Sequence, residues 1–298
     1  MSLNSGYRVA LVGNPNSGKT ALFNQLTGLN QKVSNYPGIT VEKKTGRGLF
    51  PGGESFQVMD LPGTYSLVPD SLDEQIVADQ FLAWSLGSDP PDVLVAVVDT
   101  SNLRRNLLLV TQCLELGLPV VLALNMMDRV RRKVTADQVE HLRRALGAAG
   151  AVPVVAVKGE GLDQLLAVVE ETVRKRPRPT PLYFGLKKPV WEDLVHFGTS
   201  ALGWSPVWSQ ALAVRLVGKE DFLSGIVIPH LADRDPAEVD RLRSTLASVR
   251  DQVPNWRSIL AGDARHRYEQ IDRILAETGW SEAQPHLVRS RSERIDAV

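Results

Sequence analysis

The sequence predicts an α/β fold, a mixed and mostly parallel sheet with helices on both faces, followed by a small all-helical domain. Three observations lead there. Gly13-Asn14-Pro15-Asn16-Ser17-Gly18-Lys19-Thr20 lies between the apolar run Val9–Val12 and a segment with helical spacing, Ala21–Leu26. Fully apolar runs of strand length then alternate with helical periodicity, the pattern of strands buried on both faces. Beyond the basic, proline-rich stretch Lys175–Pro181 the strand signal nearly vanishes.

Taken in order, Tyr7–Val12 reads as the first strand and Lys19–Thr27 as the first helix, stopped by Gly28. Asn30–Thr40, with Asn35, Pro37 and Gly38, reads as a loop. Val41–Phe50 and Phe56–Asp60 form two strands joined by Pro51-Gly52-Gly53 as a hairpin. Leu72–Leu86 is helical, Val93–Val98 a strand behind Pro90-Pro91, and Leu103–Leu116 a helix. Val120–Leu124 and Val152–Val157 read as strands, Thr135–Leu146 and Leu162–Lys175 as helices. Lys175–Pro181 cannot continue a helix and reads as an extended linker. Past it, Trp191/Leu194/Val195, Trp208/Ala211/Leu212/Leu216, Val239/Leu242/Leu246/Val249 and Tyr268/Ile271/Leu275 repeat at helical spacing. Trp191, Trp204, Trp208 and Trp256 are expected to anchor that helical core.

Composition narrows the function classes. The chain has 298 residues, is 43% hydrophobic and carries a formal net charge of zero. That balance speaks against a general nucleic-acid binder. The single cysteine, Cys113, sits in an apolar run, excludes an intramolecular disulfide and fits a reducing, cytosolic setting. No apolar run reaches the length of a spanning helix, and no signal peptide is expected. The histidines at 141, 196, 230, 266 and 286 show no metal-ligand spacing, and no Ser/His/Asp or Cys/His arrangement is visible.

The chemistry begins at the glycine-rich loop. Strand, G-x-x-x-x-G-K-T and helix together are the context in which backbone N–H groups cradle a polyphosphate. Gly13, Asn14, Pro15, Asn16, Ser17, Gly18, Lys19, Thr20 and Ala21 form this candidate nucleotide-binding set. Lys19 supplies charge to the outer phosphates and the Thr20 hydroxyl is a candidate Mg²⁺ ligand. Asp60-Leu61-Pro62-Gly63 closes a strand, so Asp60 can hold Mg²⁺ through water while the Gly63 N–H meets the terminal phosphate. Thr40 is the candidate switch threonine, able to complete Mg²⁺ coordination when a γ-phosphate is present.

Asn125-Met126-Met127-Asp128 follows a buried strand. The Asp128 carboxylate can accept two N–H donors from a guanine edge, which adenine does not offer. Asn125 would brace the phosphate loop, and Met126, where lysine is the familiar residue, would stack on the base. Ala156-Val157-Lys158 corresponds to the loop whose backbone N–H meets the guanine carbonyl. Ala156 lacks the usual serine hydroxyl, which predicts weak affinity and fast nucleotide release. Thr64 follows Gly63 where many small GTPases keep a water-orienting glutamine. Asn16 offers another route, because its side-chain oxygen can help bind a monovalent cation beside the phosphates. The competing reading is that Asn16 only stiffens the loop. Asn16, Lys19, Thr40 and Gly63 are thus the candidate catalytic groups.

GNPNSGKT, NYPGITVEKKTG, DLPGTYSLVPDSLDEQIV and NMMD, with the helical extension, resemble the cytosolic N-terminal region of the ferrous-iron transport protein B (FeoB) family. Ala264–Tyr268 and Ser292–Asp296 resemble the segment before that family's first membrane helix. The resemblance implies a Ras-like P-loop G domain over residues 1–176 and a linker at 177–181. It further implies a helical domain like a nucleotide-dissociation inhibitor at 182–279 and a juxtamembrane tail at 280–298. It implies slow, potassium-stimulated hydrolysis of GTP to GDP, with Mg²⁺ as cofactor and Asn16 as the K⁺ ligand. Implied partners are a C-terminal transmembrane domain of the same polypeptide, a small FeoA-type protein and a second copy of the chain, at the cytoplasmic face of the bacterial inner membrane. The short segment between Val68 and Asp73 departs from the family pattern. Two other readings share the nucleotide motifs: a free-standing GTPase in RNA or ribosome maturation, and a GTP sensor without useful turnover.

Overall fold

The computed structural model describes residues 6–28, 31–36, 41–131, 133–177, 181–232 and 235–280. The elements run β1 (Tyr7–Gly13), α1 (Lys19–Thr27), β2 (Gln31–Asn35), β3 (Glu42–Leu49), β4 (Ser55–Asp60), α2 (Leu72–Ser85), β5 (Val93–Asp99) and α3 (Leu103–Leu114). They continue with β6 (Val120–Asn125), α4 (Ala136–Leu146), β7 (Gly150–Pro153) and α5 (Leu162–Lys175). The strands form one sheet in the order β2-β3-β4-β1-β5-β6-β7. β4, β1, β5, β6 and β7 are parallel, while β3 runs antiparallel to both β2 and β4.

Period-two alternation sorts the sheet's side chains between two helix layers. Val9 and Leu11 of β1 join the cluster of Leu22, Phe23 and Leu26 from α1 and Leu165, Val169 and Val173 from α5. Ala10 and Val12 point the other way, to Val77 and Phe81 of α2, Leu107 and Val110 of α3, and Leu142 and Leu146 of α4. Local signals set the helix ends. Gly28 closes α1 in the left-handed conformation, Ser71 caps α2, and Thr135 with Gln138 forms a capping box on α4. Cys113 is a buried core residue, and burial pushes its thiol well above the ordinary range.

Two segments depart from the sequence reading. Part of the Asn30–Thr40 loop is strand β2, paired antiparallel to β3 from Gln31↔Gly46 to Asn35↔Glu42. All its residues are exposed, so it carries no apolar alternation to read. Residues 30 and 37–40 of that stretch lie outside the described residues. The strand expected over Val152–Val157 stops at Pro153, and Ala156–Lys158 is a 3-10 turn. The Val155 N–H donates to the Glu160 carbonyl at 3.0 Å, which reverses the chain there.

The C-terminal part is helical: α6 (Glu192–Ser200), α7 (Pro206–Gly218), α8 (Pro236–Asp251) and α9 (Ile259–Glu277). Trp191, Trp204 and Trp208 are buried as expected. Trp256 is not; it is half-buried with Arg250 and Arg257 stacked at 4.4 and 4.3 Å from its ring. The apolar cluster runs without a break from α2, α3 and α4 into α6–α9. A charged group is embedded in this contact. Glu115, at the end of α3, is fully buried and forms an ion pair with Arg267 Nη1 at 2.6 Å, while its other oxygen accepts from Arg215 Nη2 at 3.4 Å. Arg267 Nε also donates to Asp263 at 2.7 Å. Burial opposes the Arg267 charge, but Glu115 and Asp263 outweigh it and hold the guanidinium above its usual range.

Removing the shared carboxylate would leave two buried guanidinium groups short of a partner. Glu115→Ala is expected to destabilise the chain by roughly 3–5 kcal/mol. The exposed Arg104–Asp272 pair between α3 and α9 is expected to contribute less than about 1 kcal/mol. Urea unfolding of Glu115→Ala and Arg104→Ala checks this; similar small losses for both would contradict it.

Candidate functional site

The loop from Gly13 to Thr20 leaves the end of the central strand β1 and enters α1. Gly18 has φ +88°, and a Cβ there would lie 2.1 Å from Asn125 Nδ2, so no side chain fits. No side chain caps the start of α1. Its first N–H groups therefore face the loop, the arrangement that receives an anion. Several buried polar atoms here have no hydrogen-bond partner among the described residues: both amide atoms of Asn14, Ser17 Oγ and Tyr36 Oη. Native structures seldom leave such groups unpaired, so an ordered water, an ion or a ligand is expected to meet them.

Lys19 at the start of α1 and Asp60 at the end of β4, both buried, form a short ion pair. Leu61 N–H donates to Leu11 O at 3.1 Å and Thr64 N–H to Gly13 O at 3.2 Å, tying the D-x-x-G stretch to the phosphate loop. Gly63 packs directly against Pro15; a Cβ at Gly63 would come within 3.2 Å of it. Thr20 is exposed beside this pair, and Ala21 is partly exposed. Asn16 is exposed and left-handed, with φ +63°, a conformation that asparagine tolerates better than most residues. Thr20 hydroxyl and Asp60 carboxylate are hard oxygen donors and suit Mg²⁺. The carboxamide oxygen of Asn16 suits a monovalent cation. Thr40 lies outside the described residues.

On the other flank, Asn125 clasps two loops. Its Nδ2 donates to Ser17 O at 2.8 Å, and its Oδ1 accepts from Ala156 N–H at 2.9 Å. Met126 is left-handed at φ +61°, with its methyl end near Gly18. Asp128 is exposed and lies 3.7 Å from Lys158 Nζ. Ala156 is buried, whereas Val157 is 73% exposed. Phosphate loop, Asp60, Gly63, Asn125, Asp128 and Ala156–Lys158 thus line one end of the sheet.

Three residues to which the sequence reading gave no role belong to the same neighbourhood. Glu74 Oε1 accepts from Tyr65 N–H and Thr64 Oγ1, both at 3.3 Å, while Thr64 Oγ1 also donates to Ser66 O at 2.7 Å. Thr64 is consequently fully buried in the turn rather than free to orient water. Gln112 of α3 accepts from Leu67 N–H at 2.7 Å; a glutamine inside an apolar helix was its only signal. Tyr36 is buried, and its phenol is pushed up to about 12 by burial and then by the Asp60 charge.

Among the described residues no helix is long and apolar enough to cross a membrane, and no group of three or more His, Cys, Asp or Glu could hold a metal ion.

Known proteins similar to this chain agree with one another. The Fe(2+) transporter FeoB of Salmonella typhimurium is 45% identical over 166 residues, 54% of this chain and 21% of the relative. That of Escherichia coli K12 is 43% identical over the same length. The chain thus spans about a fifth of the length of these relatives. The cytosolic domain of L. pneumophila FeoB superposes with a TM-score of 0.69 at 34% identity, covering 91% of this chain and 98% of that one. The T. maritima cytosolic domain in its GMPPNP form gives 0.65 at 28% identity, again over 91% and 98%. The family model described as ferrous iron transport protein B matches residues 7–169. With more than half of its length matched in this way, the chain belongs to the ferrous iron transport protein B family and carries that family's N-terminal G domain.

Proposed function

We propose that this chain binds and slowly hydrolyses GTP and acts as the nucleotide switch of a ferrous-iron transporter. The observation that carries this reading is the Asn125 clasp. One buried amide joins the phosphate loop at Ser17 to the loop at Ala156, so a polyphosphate cradle and a base-reading loop are held at one spacing. Solved structures of relatives in GDP and GMPPNP forms support it.

In this reading Asp128 accepts two N–H bonds from guanine, Met126 covers one face of the base, and the N–H groups of Ala156, Val157 and Lys158 approach its carbonyl. Asn14 to Ala21 wrap the phosphates through their backbone and the start of α1. Lys19 leaves Asp60 for the outer phosphates, and Thr20, Thr40 and Asp60, the last through water, hold Mg²⁺. Gly63 N–H and Thr40 report the terminal phosphate. Hydrolysis adds water to the γ-phosphorus, breaks its bond to the β–γ bridging oxygen, and leaves the electron pair on GDP. Mg²⁺ held by Thr20, Thr40 and Asp60, and K⁺ held by Asn16, would supply positive charge to offset the negative charge that builds on that oxygen.

The proposed division is a G domain at 1–176, a linker at 177–181, a helical domain at 182–279 and a juxtamembrane tail at 280–298. The relatives are about five times longer than their matched part, which supports a transmembrane domain later in the same polypeptide. The module would then sit at the cytoplasmic face of the bacterial inner membrane. A FeoA-type protein and a second copy of the chain are its further proposed partners.

Cation dependence tests Asn16. The left-handed backbone makes glycine the fitting replacement, since alanine would add strain. Wild type is expected to hydrolyse GTP faster in K⁺ than in Na⁺, and Asn16→Gly to lose that gain, on the order of 10²-fold. Equal wild-type rates in both salts would remove the cation role. Asp128→Ala is expected to weaken GDP binding at least about 100-fold, read with a fluorescent nucleotide; unchanged affinity would contradict guanine recognition. Ala156→Ser should slow GDP release several-fold in stopped-flow measurements, its hydroxyl adding a bond of about 1 kcal/mol to the loop.

A further inference from the structure

Gln31–Asn35 lies wholly in solvent, yet the next residue, Tyr36, is 7% exposed. The Tyr36 N–H donates to Val41 O at 3.0 Å and extends the β2–β3 ladder past Asn35↔Glu42. Further along β3, Lys44 stands opposite Asp60 on β4. Tyr36 therefore enters the end of the sheet where Asp60 meets Lys19 and the phosphate loop. Lys43 Nζ stands 5.6 Å from its ring.

The ring accounts for the burial, but not for the hydroxyl. Among the described residues the phenol oxygen has no hydrogen-bond partner. A phenylalanine would fill the same space without leaving a buried polar group unpaired, which is a costly arrangement. The hydroxyl keeps its proton here, since burial and the Asp60 charge both disfavour its loss. It is thus a donor, held at the sheet end that also carries Lys19.

We propose that the Tyr36 phenol donates a hydrogen bond to an oxygen of the γ-phosphate, making Tyr36 a specificity residue that favours the triphosphate over the diphosphate. The inference rests on the guanine-nucleotide reading above and deepens it. The acceptor it needs is an anionic oxygen beyond the β-phosphate, which GTP has and GDP lacks.

The test compares wild type with Tyr36→Phe, which keeps the ring and removes the donor. Binding of fluorescent GMPPNP and GDP is measured by anisotropy, with Mg²⁺ and K⁺ present. Tyr36→Phe is expected to weaken GMPPNP binding roughly 10-fold, the effect of losing one hydrogen bond to a charged group, and to leave GDP binding within about twofold. An equal loss for both nucleotides would make Tyr36 merely structural and overturn the inference. Unchanged affinity for both would overturn it as well, while leaving the guanine-nucleotide reading intact. Failure of wild type to bind either nucleotide would overturn both.

Discussion

The spacing of the site depends on one buried amide. Asn125 ends β6, two strands away from the phosphate loop on β1, with β5 between them. All three strands are buried on both faces, so their ends cannot shift independently. The Asn125 side chain converts that stiffness into a fixed gap by donating to Ser17 and accepting from Ala156. Gly18 belongs to the same constraint, because any Cβ would occupy the place of the Asn125 amide nitrogen. Loop, clasp and base-side turn therefore move as a unit.

The opposite flank is held by a different set of contacts. Lys19 at the start of α1 and Asp60 at the end of β4 neutralise one another, and the D-x-x-G stretch hangs on backbone bonds to Leu11 and Gly13. Side chains hold the segment beyond Gly63: Glu74 gathers Thr64 and Tyr65, and Gln112 receives Leu67. Gln112 and Glu115 lie one helical turn apart at the end of α3. One meets the segment behind Gly63, the other the buried arginines of α7 and α9. A single stiff helix thus touches both the phosphate-facing segment and the helical part, through polar contacts that leave little room for gradual adjustment.

That arrangement suits a switch. In the proposed reading the Asn125 flank is built once and held, whereas the Lys19–Asp60 flank is assembled from an ion pair and buried polar atoms without a partner among the described residues, which a charged ligand can reorganise. The continuous apolar cluster between the sheet's α2–α3–α4 face and α6–α9 makes the helical part a packed neighbour of that face. Exposed ion pairs such as Arg104–Asp272 and Lys219–Asp70 add specificity to this contact more than strength.

By itself the sequence determined the alternating strands and helices and the places of the Gly13–Thr20 loop, Asp60, Asn125 and Asp128 at the ends of strands. Each of these is local: an apolar run, a glycine pair, or a short motif at a strand end. The tertiary structure alone decided that Gln31–Asn35 is an edge strand, since its pairing is backbone only and its side chains face water. It also turned the last strand short at Val155, left Trp256 half-exposed between two arginines, and buried Thr64 against Glu74. Tyr36 shows the difference most plainly. In the sequence it is one aromatic in a polar loop; its burial beside Asp60 exists only because β3 carries the chain back along β4. Contacts between residues far apart in the chain depend on how the sheet closes, and no local pattern encodes that.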